Sequence, residues 1–277
     1  FFKAEDGIRD FCLSRGLGDV YKRQILSRVE NPQIVDISHD IAPYNSTEAA
    51  YVLKNAYKTF PNGSIHIIGV ASEKTPENQH LVMFFDGHYF IGADTGIFAM
   101  IKGGLKSEKM VTINIHDKIP NSYPVLEVFV WVAAHLSRNG RLEVVGKPVD
   151  QINELKDLRP IINQKGDQIL GAVIYVDNYG NVITNITKNL FREIGKSRDF
   201  TINARTVKFK KIYLSYSQAI DFNLPKEDRE EDGKKLALFN TSGHLELAIY
   251  KSNPHTVGSA SSLFGLDYRD LIIIQFE

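Results

Sequence analysis

Several sequence features that often indicate the class of a protein are scarce in this sequence of 277 residues. Cys12 is its single cysteine, so no disulfide can form within the chain, which is typical of a cytoplasmic protein. Basic and acidic residues number 33 each, so no net charge favours nucleic acid as a partner. An apolar run of about 18 residues, the length that spans a bilayer, is missing, so we expect no membrane partner.

Signatures of metal and nucleotide binding are also missing. The eight histidines form no cluster with cysteine or carboxylates at the spacing of metal ligands, so we expect no metal. The pair Gly103-Gly104 falls well short of a phosphate-binding loop. His66 and His135 lie in apolar contexts and are predicted to be core histidines with internal hydrogen-bond partners.

The pattern of apolar residues divides the chain into two parts. Residues 25–155 alternate short strands, such as 34–37, with helices, which is typical of an α/β layered domain. A segment rich in Asp, Lys, Asn and Pro over about 148–167 predicts a linker. Strands separated by turns dominate the rest, which predicts a small β domain, a β-barrel, over residues 156–277.

Residues 1–24 differ from the rest of the chain. They show no sustained strand or helix period before Asp19, which is predicted to cap a helix over residues 20–29. The tract resembles the conceptual translation of a sequencing adapter, so we predict that it is foreign to the natural protein. The alternative is a mobile tail that the gene encodes.

The run from Asp177 to Ile186 carries the densest polar chemistry. It follows an apolar segment that is predicted to be a buried strand, and it resumes an alternating β-branched pattern at Val182. A plain hairpin needs one Asn-Gly or Gly-Asn at its tip, whereas one acid and three carboxamides crowd this corner. The residues alone leave two interpretations open, a binding turn and an ordinary polar turn.

This run resembles the Asp-x-Phe-Gly-Asn-x-x-Thr-Asn-Ile element of the S-adenosylmethionine hydroxide adenosyltransferases, relatives of the fluorinase and chlorinase enzymes. Six further blocks resemble the family in the same order, so the resemblance covers about residues 25–277. The blocks are 31–41 (NPQIVDISHDI), 48–53 (EAAYVL), 60–66 (FPNGSIH), 87–96 (GHYFIGADTG), 238–246 (LFNTSGHLE) and 258–266 (GSASSLFGL).

The resemblance implies a fold, a reaction and an assembly. The fold is an N-terminal α/β/α layered domain followed by a C-terminal β-barrel domain. The reaction is displacement at the ribose C5′ of S-adenosylmethionine, which is the substrate, with no cofactor. The assembly is a homotrimer whose sites lie between subunits. The resemblance also implies a first central strand with a ribose-binding Asp, which residues 1–24 do not contain, so we expect a gap in the sheet.

The catalytic positions of the family are degenerate here. In hydrolysing members an Asp, an Arg and a His hold the attacking water, and the matching positions hold Ala71, Asn78 and Pro124. An alanine cannot accept a proton from water. Glu73 is a possible substitute carboxylate, and the alternative is a solvent-exposed loop glutamate.

The binding positions match the family better. By resemblance, Asp177 and Asn181 contact the ligand, and Tyr179 keeps an aromatic surface for the base. Thr241 and Ser242 are implied to contact the methionine carboxylate, although an ordinary polar turn is the alternative. Ser259 and Ala260 are implied to contact the adenine edge, and Asp94 matches a further binding position.

Two hypotheses follow. The first is an S-adenosylmethionine hydrolase that gives adenosine and methionine. The second is a non-catalytic protein of the same fold that binds S-adenosylmethionine or adenosine, which the alanine at position 71 favours. A sugar-binding β-barrel module would fit the C-terminal half only.

Overall fold

The computed structural model describes residues 22–116, 124–154, 159–229, 231 and 233–277. The chain divides into two compact units, an N-terminal unit of Phe1–Leu155 and a C-terminal unit of Lys156–Glu277. Most of the predicted foreign tract, residues 1–21, lies outside the described residues, so its origin stays a prediction. Of the helix predicted over residues 20–29, positions 22–26 are helical.

A five-stranded sheet forms the centre of the N-terminal unit. The strands are β1 (Ile65–Ile67), β2 (His80–Phe85), β3 (His88–Ala93), β4 (Lys109–Ile113) and β5 (Gly146–Pro148). They run in the order β1-β3-β2-β4-β5, with β1 parallel to β3 and the other pairs antiparallel.

Helices cover both faces of this sheet. They are α1 (Ser46–Ala56), α2 (Ile97–Lys102), α3 (Pro124–Ser137) and α4 (Leu142–Val145). On β2, Leu81 and Met83 pack with α1 and α2, while Val82 between them packs with α3 and α4. Successive side chains of a strand point to opposite faces, so β2 is apolar on both faces and lies buried between the two helix layers. The predicted α/β/α layering is confirmed.

Local signals set the ends of α1. The side chain of Asn45 accepts a hydrogen bond from the backbone N–H of Glu48, which caps the first turn. Ala49, Ala50 and Leu53 recur at helical spacing and are buried. A 3-10 turn at Tyr57–Thr59 follows the helix and leads to Pro61.

The sheet has an open edge at β1. Among the described residues β1 pairs with β3 only, and a cavity of about 660 Å³ lies beside it. Residues 34–37, predicted to be a strand, belong to neither sheet and instead line this cavity. That strand prediction is wrong because alternation favours an extended chain, whereas a strand also needs a partner edge.

The C-terminal unit is a strongly curved sheet that is nearly barrel-shaped, as predicted. The strands are β6 (Ile161–Ile162), β7 (Gln168–Val176), β8 (Val182–Thr187), β9 (Phe200–Ala204), β10 (Val207–Phe209), β11 (Lys235–Phe239), β12 (His244–Ile249) and β13 (Leu271–Phe276). Seven of them follow the order β10-β9-β13-β7-β8-β12-β11, and β6, which falls within the predicted linker, pairs with β7.

Two short helices accompany this sheet, α5 (Lys188–Gly195) and α6 (Ala260–Phe264). Fully buried side chains from β7, β8, β9 and β13 fill its interior, among them Ile169, Ile186, Ile202 and Ile274. In the described part of the chain, no helix is both long enough and apolar enough to cross a bilayer.

Candidate functional site

The turn after β1 borders a cavity of about 740 Å³ in the N-terminal unit. Three predicted catalytic positions, Ala71, Glu73 and Asn78, line it together. The side chain of the fourth, Pro124, lies outside the described residues. Pockets of a few hundred cubic ångströms are typical of small-molecule sites, so this cavity is the candidate site of the N-terminal unit.

The turn itself has an unusual backbone. Ala71 has a φ of 47°, the left-handed region, which costs a residue other than glycine about 1–2 kcal/mol. Asn78 closes the turn, because its backbone N–H donates to Thr75 Oγ1 at 3.0 Å and its carbonyl accepts from Thr75 N at 3.1 Å. These two hydrogen bonds therefore close the second half of the turn, while its first residue, Ala71, has a backbone conformation that alanine does not favour.

A series of contacts among three basic side chains ends at the backbone of the turn. The Nε2–H of His80 donates to the carbonyl of Ser72 at 2.9 Å, so His80 Nδ1 accepts from His116 Nε2 at 3.0 Å. Lys74 Nζ lies 3.5 Å from His116 Nδ1 and completes the chain. His80 is fully buried, and burial lowers its pKa to about 4 although the Ser72 carbonyl opposes the shift. The imidazole is therefore neutral at pH 7, which this donor–acceptor order requires.

Asp36 and His39 line the same cavity from the segment before α1. His39 Nε2 lies 3.2 Å from Asp36 Oδ1, while Lys22 Nζ pairs with Asp36 Oδ2. Burial raises the pKa of Asp36, but the hydrogen bonds and charges of Lys22 and His39 outweigh it and bring the pKa below its usual range. The sequence placed both residues in a family block without giving them a role.

In the C-terminal unit, Asp177 organises the predicted binding turn. Its Oδ1 accepts from the backbone N–H of Tyr179 at 2.9 Å and of Asn181 at 2.8 Å. Its Oδ2 accepts from the side-chain amide of Asn181 at 3.0 Å. Tyr179 projects into solvent and is 71% exposed, whereas Asn181 is buried. Asp177 therefore shapes the turn, and the exposed ring of Tyr179 is the part of it available to a flat ligand.

Two residues that the sequence did not single out extend this turn into a network. The Tyr216 hydroxyl donates to Glu246, and the Asn181 side-chain amide lies 3.4 Å from the same hydroxyl. Burial raises the pKa of Glu246, the hydrogen bonds from Tyr216 and Asn240 oppose this, and the charge of Asp177 adds to it. Tyr216 lies 35 residues from Asn181 along the chain, so no local pattern could indicate the contact.

The remaining predicted binding residues lie in turns around this network. Asn240 Oδ1 accepts from the backbone N–H of Ser242 at 3.1 Å, which fixes the turn that contains Thr241. Ser259 caps α6 through a reciprocal pair of hydrogen bonds with Ser262, and Ala260 is fully buried in the first turn of that helix. The predicted polar contacts of these residues with a ligand stay predictions.

Asp94 and two of the histidines have internal partners. Asp94 is buried, its Oδ2 accepts from the backbone N–H of Asn153 at 2.8 Å, and burial raises its pKa. The prediction for His66 is confirmed, because it is buried and bonded to His88 at 3.2 Å. His135 is only half-buried and bonds the carbonyl of Arg141 at 3.0 Å beyond the end of α3. No group of three potential metal ligands occurs among the residues that the structure describes.

The fold and the two groups of polar residues define a two-domain protein with an α/β/α unit and a barrel-like β unit. The family model of the SAM hydroxide adenosyltransferase N-terminal domain matches residues 8–146, and that of the C-terminal domain matches residues 171–273. The chain belongs to this family. The first match begins inside the tract predicted to be foreign.

Relatives and solved structures agree with this assignment. The chain is 27% identical over 271 residues to an (R)-S-adenosyl-L-methionine hydrolase of Methanocaldococcus jannaschii, covering 96% of this chain and 93% of the relative. It is 24% identical to the hydrolase of the same name from Thermus thermophilus, covering 69% and 78%. A crystal structure of an uncharacterized conserved protein from Thermotoga maritima has the same fold, with a TM-score of 0.76, 24% identity and coverage of 96% and 97%.

Proposed function

We propose that the protein hydrolyses S-adenosylmethionine at the ribose C5′ and releases adenosine and methionine. The observation that carries the proposal is the cavity of about 740 Å³ onto which the turn at positions 71–78 opens. This turn corresponds to the family's water-holding turn, and two relatives with the hydrolase name support the same reaction.

The chemistry suits a site built only from side chains. The leaving group departs from a sulfonium as a neutral thioether, so it needs no proton and no metal to stabilise it. The remaining requirement is a water held in line with the C–S bond in a site that excludes bulk solvent. We therefore propose S-adenosylmethionine as substrate, with no further cofactor.

The proposal includes the assembly and the location. A site shared between copies of the chain requires closed head-to-tail association, which a cyclic homotrimer provides. Sedimentation of the native protein should give the mass of three chains, and a monomer would contradict this part of the proposal. The single cysteine supports a reducing cytoplasm.

The test is turnover measured together with binding. Protein incubated with S-adenosylmethionine should release adenosine and methionine in equal amounts, followed by chromatography, and calorimetry should detect binding. Binding without release would instead support the second candidate, a non-catalytic binding protein, which the alanine at position 71 favours. Neither heat nor product, at protein concentrations that detect millimolar affinity, would contradict both candidates.

A further inference from the structure

The cavity next to Ala71 contains a carboxylate–histidine pair, Asp36 and His39, that the family's catalytic positions do not include. Asp36 and His39 are three residues apart and both line this cavity. Nε2 of His39 lies 3.2 Å from Asp36 Oδ1. A carboxylate that accepts the N–H on one ring nitrogen leaves the other nitrogen as a proton acceptor, which is how enzymes orient a histidine base.

We propose that His39 is the general base of this site and that Asp36 orients it, in place of the carboxylate missing at position 71. The inference rests on the proposed hydrolysis of S-adenosylmethionine. Water oxygen bonds to C5′ while the C5′–S bond breaks and its electron pair stays on sulfur, giving the neutral thioether of methionine. The water proton passes to Nδ1 of His39, and the imidazolium lies beside the Asp36 carboxylate.

One feature favours His39 over the other candidate in the cavity. The side chains of Glu73 and His39 are both exposed, but among the described residues no contact with a basic side chain orients Glu73. His39, in contrast, is held by Asp36, and both residues lie outside the tract predicted to be foreign. A base whose direction is fixed loses less freedom when it meets its proton than a base on a mobile side chain.

The test compares His39→Ala and His39→Gln with the unchanged protein, measuring adenosine release and calorimetric binding of S-adenosylmethionine in each. We expect kcat to fall about 10²–10⁴-fold, the usual contribution of a general base, with the dissociation constant changed less than about threefold. Added imidazole should restore part of the activity of His39→Ala, because the cavity left by the ring admits it. His255→Ala, which removes an exposed histidine of the C-terminal unit, is the matched control. Its kcat should equal that of the unchanged protein, with and without added imidazole.

Each other outcome decides against the inference. Unchanged kcat in both variants would show that the proposed hydrolysis does not need His39. Weakened binding with unchanged kcat would make it a binding residue. A fall in kcat that imidazole does not restore, together with loss of the circular dichroism signal, would make its role structural. If the unchanged protein binds but releases no adenosine, the inference fails together with the proposed function.

Discussion

At the scale of single residues, position 71 has an alanine where the family has an aspartate, and its backbone conformation is one that aspartate adopts more readily. Ala71 has a φ of 47°, and aspartate and asparagine adopt that region more readily than alanine does. Ala71→Asp should therefore fold at least as well as the unchanged protein and should add a proton acceptor to the cavity. Because His39 is the proposed base of the unchanged protein, this gain is expected where that base is absent. We expect Ala71→Asp to raise the adenosine release of the His39→Ala variant about 10²-fold or more, measured by chromatography.

Ala71→Asn is the matched control for this prediction. It has nearly the same size and the same tolerance of positive φ as Ala71→Asp, but its amide does not accept a proton from water. A rise in adenosine release of equal size in both variants would show that the turn conformation, and not the carboxylate, limits the rate.

Two substitutions of Asp177 distinguish its role in the shape of the turn from a contact with the ligand. Asp177→Ala removes the acceptor of two backbone N–H groups, so we expect a lower melting temperature and S-adenosylmethionine binding weakened by about 1–3 kcal/mol. Asp177→Asn keeps an oxygen for these N–H groups but replaces the oxygen that accepts from the Asn181 amide, so it should lower affinity with a smaller loss of stability than Asp177→Ala. Calorimetry and thermal melting measure the two effects, and equal affinity in Asp177→Asn would exclude a ligand contact through its charge.

At the scale of helices and strands, sequence patterns predicted the elements whose stability depends on neighbouring residues, such as α1. The apolar spacing and the capping Asn45 of α1 lie within one stretch of sequence, and the helix forms there. Residues 34–37 have strand-like alternation but line a cavity, because strand pairing depends on a distant edge. Local patterns also could not indicate two hydrogen-bonded pairs of the site, His80–His116 and Tyr216–Glu246. Their residues are 36 and 30 positions apart along the chain. The Asp36–His39 contact is local, and its carboxylate-to-histidine spacing was a signal that could have been used.

The buried histidines on β1 and β2 predict acid sensitivity of the N-terminal unit. Burial lowers the pKa of His66 and of His80 to about 4, with the neighbouring His88 and His116 contributing to the respective shifts. Between about pH 6.5 and pH 4 the unfolded chain binds protons that the folded chain does not, so the free energy of unfolding should fall as pH falls. Each histidine contributes at most roughly 3 kcal/mol over this window, and the contribution is complete above pH 6.5.

Denaturant unfolding at several pH values measures this dependence. His66→Phe keeps an aromatic ring against Phe90, whose centroid lies 5.0 Å from that of His66, and it removes the titrating group. The slope between pH 6.5 and pH 4 should therefore decrease relative to the unchanged protein but not disappear, since His80 remains and burial also lowers the pKa of His88. An unchanged slope would mean that other groups cause the acid sensitivity.

At the scale of the whole molecule, the first residues offer a test of which part of the chain belongs to the fold. Residues 22–29 contact the rest of the N-terminal unit, because Lys22 pairs with Asp36 and the Arg28 guanidinium lies 5.4 Å from the ring centroid of Trp131. Ile25 and Val29 line the cavity beside β1. The tract predicted to be foreign is residues 1–24, of which the structure describes residues 22–24. Removal of residues 1–21, the rest of that tract, should cost little stability.

Two truncations decide this point by circular dichroism melting. Deleting residues 1–21 should leave the melting temperature nearly unchanged. Deleting residues 1–29 also removes the contacts of Lys22, Ile25 and Arg28, and a loss of about 1–2 kcal/mol should lower the melting temperature by a few degrees. If the shorter deletion lowers the melting temperature as much as the longer one, residues 1–21 stabilise the fold and the prediction of a foreign tract is wrong. Full stability after the longer deletion would show that the contacts of residues 22–29 contribute little, because exposed ion pairs and cation–π contacts are often worth less than about 1 kcal/mol.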